Sequence, residues 1–324
     1  MSLRAYTTTT DKTNEIVYAQ IGIQAKMQVE TVEWSEKIAE SFKLPNGPEH
    51  VDHGIFTDIA NYYNRLFIAY WSDVKEYEDW LKCEQVQSWW QGKELEENIG
   101  LFHEAAKIPV THFETIHSMQ NRNSGVTHFL PLEETKEHAY WGSMRKRIPA
   151  SSRESFDSAI DKITTANKDT FGKRVKVIPP DNVCLIRTAQ DWSRCNADEK
   201  ETYLTFVAPA LEKAYDYLNK NQEESGCISP KFIQEIDEHG NPLEKTCISA
   251  FFISLKHLEH WTHNHETHKA VFAAFMEMLK KHQFSVQLSL WHEVSVLTSE
   301  KLHLEYMNCH PKTGFIPYFD IEIA

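Results

Sequence analysis

Between residues 284 and 296 the hydrophobic positions fall on every second residue: Phe284, Val286, Leu288, Leu290, Val294 and Val296. A period of two belongs to a strand with one buried face. His292 shares that parity, so an imidazole points into an aliphatic face, where a nitrogen without a partner costs free energy. Two readings stand: a core histidine bonded to a carbonyl, or a metal or haem ligand, since neutral imidazole is the commonest metal ligand. A second histidine, His310, follows in the turn Asn308-Cys309-His310-Pro311.

The same reading applied along the chain gives two series of elements. In the first, Ile16–Ile23 is a strand and Met27–Phe42 a helix stopped by Pro45-Asn46-Gly47-Pro48. Arg65–Trp71 is a buried strand, and Asp73 with Glu76 forms a capping box for the helix through Trp80. Gln85–Trp90 and Leu95–Ala105 read as helices and Val110–Met119 as a strand. In the second, Asn182–Arg187 is a strand. Lys200–Leu218 is an amphipathic helix with Leu204, Val207, Leu211, Ala214 and Leu218 at helical spacing. Cys247–Leu255 is a strand, Leu258–Trp261 and Val271–Leu279 are helical, and the 284–297 strand closes the series. His239-Gly240-Asn241-Pro242 is a hairpin turn.

The segments at 67–80 and 251–261 repeat an apolar strand, a charged helix start and an aromatic-acidic-aromatic finish. This predicts an α+β fold of two ferredoxin-like halves, about 15–120 and 180–310, packed sheet to sheet. They form one domain spanning 15–324, with an irregular connection at about 121–180, in which Ser151-x-x-Glu154 marks a helix start. Residues 1–14 read as a loose polar tail.

Composition narrows the function. At 324 residues and 41% hydrophobic, the chain can bury a substantial core. A net charge of −13 argues against a nucleic-acid partner. No run approaches a membrane span, and the N-terminus lacks the apolar core of a signal peptide. Six cysteines without a CxxC pair suit reduced thiols in the cytoplasm. GxGxxG, P-loop, HExxH, GxSxG and CxxCH signatures are absent.

Three features carry candidate chemistry. Arg187 ends a buried strand, where it either pairs a carboxylate or offers a fork to a ligand oxygen. Ser229 lies in the small-residue turn Gly226-Cys227-Ile228-Ser229-Pro230, where a serine commonly caps the backbone. His257, His260, His263, His265 and His268 fit no tetrahedral template, and their polar context reads as a solvated helix face.

Several stretches together resemble the haem-containing aldoxime dehydratases over nearly the whole chain from about residue 15. They are Leu44-Pro45-Asn46-Gly47-Pro48, Ser88-Trp89-Trp90, 138–145 (HAYWGSMR), 181–187 with Gln190-Asp191-Trp192, Gly226-Cys227-Ile228-Ser229, His292-Glu293-Val294-Ser295-Val296 and Asn308-Cys309-His310-Pro311. The resemblance implies haem b, ferrous when active, and an aldoxime substrate R–CH=N–OH losing water to give a nitrile. It implies a dimeric α+β-barrel type of core flanked by helices, and a cytoplasmic homodimer. Carried over by position, His292 is the proximal iron ligand, His310 the distal proton-transfer residue, and Ser229 and Arg187 hold the substrate hydroxyl. The family also has an acid behind the distal histidine. Where Met-Arg-Glu/Asp-Arg is expected, this chain reads Met144-Arg145-Lys146-Arg147, which leaves Glu137 as the substitute. The alternative within this fold is a haem protein with peroxide- or chlorite-type chemistry.

Overall fold

The computed structural model describes residues 4–10, 13–91, 98–137 and 142–323. The first part of the chain contains β1 (Ala5–Thr8), β2 (Glu15–Ala25), α1 (Val32–Ser41), β3 (His50–Thr57), β4 (Tyr63–Trp71), α2 (Val74–Lys82), α3 (Glu84–Trp90), β5 (Gly100–Pro109), β6 (Phe113–His117), β7 (Leu132–Thr135) and β8 (Arg174–Val177). The second contains β9 (Val183–Asp191), α4 (Ala197–Thr202), α5 (Ala208–Lys220), α6 (Gln222–Ser225), β10 (Cys227–Ile236), β11 (Pro242–Phe252), α7 (Leu255–Asn264), α8 (Glu266–Lys281), β12 (Ser289–Leu297), β13 (Leu302–Met307) and β14 (Ile321–Ile323). A π-helical turn at Tyr203–Val207 joins α4 to α5.

The strands form one antiparallel sheet whose centre repeats a unit. β2, β3, β4 and β5 lie in the order β5-β2-β4-β3, and β9, β10, β11 and β12 in the order β10-β11-β9-β12. Each unit runs strand, helix, two strands, helices, strand. The units join edge to edge where β3 pairs with β10, through His53 opposite Ile236. Registers match between units: Gln20 of β2 stands opposite Glu104 of β5, as Arg187 of β9 stands opposite Glu293 of β12. The sequence Phe102-His103-Glu104 therefore occupies the place that Trp291-His292-Glu293 occupies in the other unit.

The inner faces of the two units meet. Tyr18 bonds Ser249 at 3.1 Å, Tyr70 donates to Glu293 at 2.8 Å, and Lys231 donates to Glu104 at 2.7 Å. The outer face of the first unit is sealed by α1, α2 and α3, which bury Trp34, Tyr77, Trp80, Trp89 and Trp90. The outer face of the second unit lies under α5, α7 and α8.

Four expectations change. Gly100–Pro109, which overlaps the expected helix 95–105, is a strand buried on both faces, so the alternation that betrays a strand is missing. The Ser151-x-x-Glu154 box starts only a 3-10 turn over Pro149–Ser152, because no apolar run of helical period follows it. The N-terminal segment is not loose throughout: Ala5–Thr8 adds a strand against β7. The last strand of the second unit begins at Ser289, five residues later than the alternation suggested.

Candidate active site

Adjacent residues of a strand face opposite ways, and residues paired across an antiparallel ladder face the same way. Glu293 points inward to Tyr70, and it also accepts from the Val126 amide at 2.8 Å. His292 therefore points outward, toward the helices. Thr188, its partner on β9, shares that face.

A carboxylate and a guanidinium meet the imidazole there. Glu114 Oε1 lies 2.8 Å from His292 Nε2. Arg147, held by the turn at Met144–Lys146, grips the same carboxylate through Nε at 2.8 Å and a terminal nitrogen at 3.2 Å. That terminal nitrogen also lies 3.4 Å from His292 Nε2. The Glu114 side chain is wholly buried. Burial alone would raise its pKa; His292 and then Arg147 outweigh it and hold the carboxyl below its ordinary value. Glu114 thus stays ionised beside the His292 imidazole.

His268 on α8 completes the neighbourhood. Burial lowers its pKa to about 4, assisted by the charges of His263 and His292. One side of the ring meets the Thr262 backbone, and buried Nδ1 has no hydrogen-bond partner. A neutral imidazole tethered on one side and free on the other is the state that iron requires of an axial ligand. Trp261 meets the ring at 4.8 Å between centroids; on the same two helices Val271, Ala274, Phe275 and Met276 are only half-buried, and Phe272 is 48% exposed. In the first unit the equivalent space beside His103 is filled by Tyr77, whose hydroxyl lies 3.1 Å from His103, and by Trp90. The second unit instead sets Glu114 and Arg147 against His292, and carries half-buried apolar residues and an unpartnered imidazole nitrogen on α7 and α8. These residues fit a haem.

The structure does not bring the expected set together. His292 meets an acid and a guanidinium, and the unpartnered buried imidazole nitrogen is that of His268. His310 lies in the loop after β13, where Nε2 bonds Asp58 at 2.9 Å and Nδ1 accepts from the Lys312 amide at 3.1 Å. With both ring nitrogens engaged, it has none free for a substrate. Arg187 faces inward, opposite in direction to His292, and donates to Asp52 at 2.7 Å, Tyr70 at 2.9 Å and Glu235 at 3.1 Å. It is the carboxylate-pairing arginine of the two readings. Ser229 sits by Lys231 at 3.0 Å, on the inter-unit side. Glu137 is exposed, and its amide donates to Thr135. The acid that meets His292 is Glu114. The stretch 138–141 that contributed to the resemblance lies outside the described residues.

Sequence reasoning passed over Glu114, Arg147, Thr188 and His268. Glu114 had a usable signal: it shares parity with Ile116 on a buried strand, as His292 does with Val294. His268 had none beyond its helix, and the rest of the histidine cluster is the polar face expected. Among the described residues no three potential ligand side chains gather to hold a bare ion.

Comparison with known proteins identifies the family. Residues 19–315 match the model of the haem-containing dehydratases. The chain is 45% identical over 310 residues to a phenylacetaldoxime dehydratase of Bacillus sp. (strain OxB-1), covering 94% of this chain and 88% of that one. It is 33% identical over 315 residues to an aliphatic aldoxime dehydratase of Pseudomonas chlororaphis, with the same coverage. A crystal structure of an aldoxime dehydratase in complex with butyraldoxime superposes with a TM-score of 0.90 at 32% identity, covering 97% of this chain and 89% of the other.

Proposed function

The chain belongs to the haem-containing dehydratase family, and from that premise we propose that it is an aldoxime dehydratase, a haem lyase converting R–CH=N–OH to R–C≡N and water. The observation that carries the assignment of roles is the buried Glu114–His292–Arg147 contact on a face that also presents His268.

His268 would hold the iron of haem b, and the bound group would supply a ferrous centre with affinity for an oxime nitrogen and electron density to lend. His292 as imidazolium gives a proton to the departing hydroxyl oxygen. The neutral ring then takes the proton from the substrate carbon, so one residue serves as acid and then base. Glu114 keeps the imidazolium stable and the ring oriented, and Arg147 fixes Glu114. Thr188, beside His292 on the same face, is the hydroxyl placed to orient the oxime OH. Half-buried apolar residues of α7 and α8 exclude water from this exchange.

The two units are ferredoxin-like halves, about 15–120 and 180–310, joined by 121–180 into one haem-binding domain of the dimeric α+β-barrel type. Their shared βαββαβ order and matched registers support this. The chain is a cytoplasmic homodimer on this reading: six free cysteines fit a reducing compartment, and light scattering of the purified protein tests the dimer. The reaction is tested by supplying phenylacetaldoxime and butyraldoxime to the dithionite-reduced, haem-loaded protein. Nitrile from either bears out the proposal. No nitrile, with substrate oxidation only on adding peroxide, overturns it.

A further inference from the structure

A cavity of about 40 Å³ opens to solvent between the two units, on the side away from His292. Gln24, Asp58 and Asn64 of the first unit line one wall, and Ser229, Pro230 and Lys231 of the second the other. Lys312 and Thr313, from the loop after β13, stand at its edge. Nothing in the proton-transfer site uses it.

Two features show that this wall is shaped. The β10–β11 ladder breaks register between Ile228 and Lys231, and Ser229 sits at the break with φ of 50°. A serine at positive φ is strained, and a bulge re-aims the side chain it carries. Beneath it lies Lys231, 4% exposed, its ammonium bonded to Glu104 at 2.7 Å and to Ser229 Oγ at 3.0 Å.

The chemistry of an occupant follows from hydrogen bonds left unused. Asp58 Oδ2 accepts from Gln24, Asn64 and His310, and Oδ1 from two backbone amides. The acid is saturated and offers a ligand nothing. Ser229 accepts from Lys231, which leaves its own O–H to donate, and an ammonium with two bonds has a third donor. Lys312, exposed at the mouth, adds a second positive charge. The free groups of Ser229, Lys231 and Lys312 are therefore donors and cations, while Phe56, Ile59 and Phe102 supply an apolar side and Asn219 and Gln222 add amides. About 40 Å³ holds roughly three waters, the size of a carboxylate head, with solvent beyond for a short tail.

We infer that this cavity is a second ligand site, for a small aliphatic monocarboxylate whose oxygens are held by Ser229 Oγ, Lys231 Nζ and Lys312 Nζ. Its occupant bridges the two halves at the loop that carries His310. The inference does not rest on the haem chemistry.

The test is saturation-transfer NMR of sodium butyrate with the haem-loaded protein, repeated with Ser229→Ala and Lys312→Gln, while the Soret band is recorded. Saturable transfer is expected in the native chain. A tenfold or greater loss of affinity is expected in Ser229→Ala, and threefold or more in Lys312→Gln, with the Soret band unmoved by butyrate throughout. Lys312 is exposed, so its variant keeps the fold and reports on the site by itself. Absence of transfer, an unaltered affinity in either variant, or a butyrate-dependent Soret shift overturns the inference; the last would place the carboxylate at the iron instead.

Discussion

Glu114 on β6 and His292 on β12 are joined by a 2.8 Å hydrogen bond although neither parent strand pairs them directly. The ladder sets Glu114 against Val294 and His292 against Ile116, so the contact runs diagonally over two residues. Diagonal neighbours on one face come within reach only of longer side chains. Arg147 from outside the sheet closes the arrangement.

Under the proposed roles, His292→Ala removes the proton carrier and leaves His268 in place. Turnover is expected to fall by about 10²–10⁴-fold, the range for a general acid–base group, while the Soret band persists. Loss of haem from this variant would return His292 to the role of iron ligand. Glu114→Gln keeps the shape and removes the charge, so it is expected to lower kcat with little change in KM.

Acid stability gives a second reading of the same acid. Glu114 titrates below its ordinary value of 4.5 when folded. A depressed carboxylate contributes stability that is complete above the unfolded pKa and disappears as pH falls through the folded one. Urea midpoints are therefore expected to decline below pH 4.5 in the native chain and to decline less steeply in Glu114→Gln. Equal slopes would exclude Glu114 as a contributor.

Most strands and helices were legible because period two and period 3.6 survive wherever one face is buried. The pattern failed at β5, where both faces are covered and Glu, Ala and Lys imitate a helix. The site was half legible for a related reason. His292 announced itself as an imidazole on an aliphatic parity, but its chemical role depends on Glu114, 178 residues away, and on Arg147, in a turn with no period at all. His268 was hidden among four histidines of a polar helix pair, and only tertiary packing separates it from them. The repeated aromatic-His-Glu at 102–104 and 291–293 was readable, and it marks equivalent strands. It could not show which copy is sealed by tryptophans and which is open.

Arg187 and His310 test the structural readings. Arg187 is 1% exposed and answers three acidic or phenolic groups. Burial pushes Glu235 up to about 7, with Asp52 adding to the shift, so the cluster depends on its one guanidinium. Breaking a buried pair costs about 3–5 kcal/mol, and Arg187→Met is expected to lose that much in urea unfolding while kcat of the folded protein stays within a few fold. His310→Ala should behave alike, with a smaller loss of stability. A drop in kcat beyond 10²-fold in either, with stability intact, would make it a catalytic group.

His268→Ala should yield a colourless, folded protein, and added imidazole should restore part of the Soret band by replacing the missing ring. The haem-free native chain carries an independent signature. His268 titrates at about 4 when folded, against 6.5 for a free histidine. For a base held neutral by burial, the stability contribution is complete above the unfolded pKa and is lost as pH falls from there through the folded value. Apo-protein stability should therefore decline between pH 6.5 and 4, above the range in which Glu114 acts, and His268→Ala should flatten that part of the curve. Haem release on acidification should begin in the same window, because protonation removes the lone pair that binds iron. If His268→Ala keeps its haem and the stability profile of the native chain, the iron is held elsewhere.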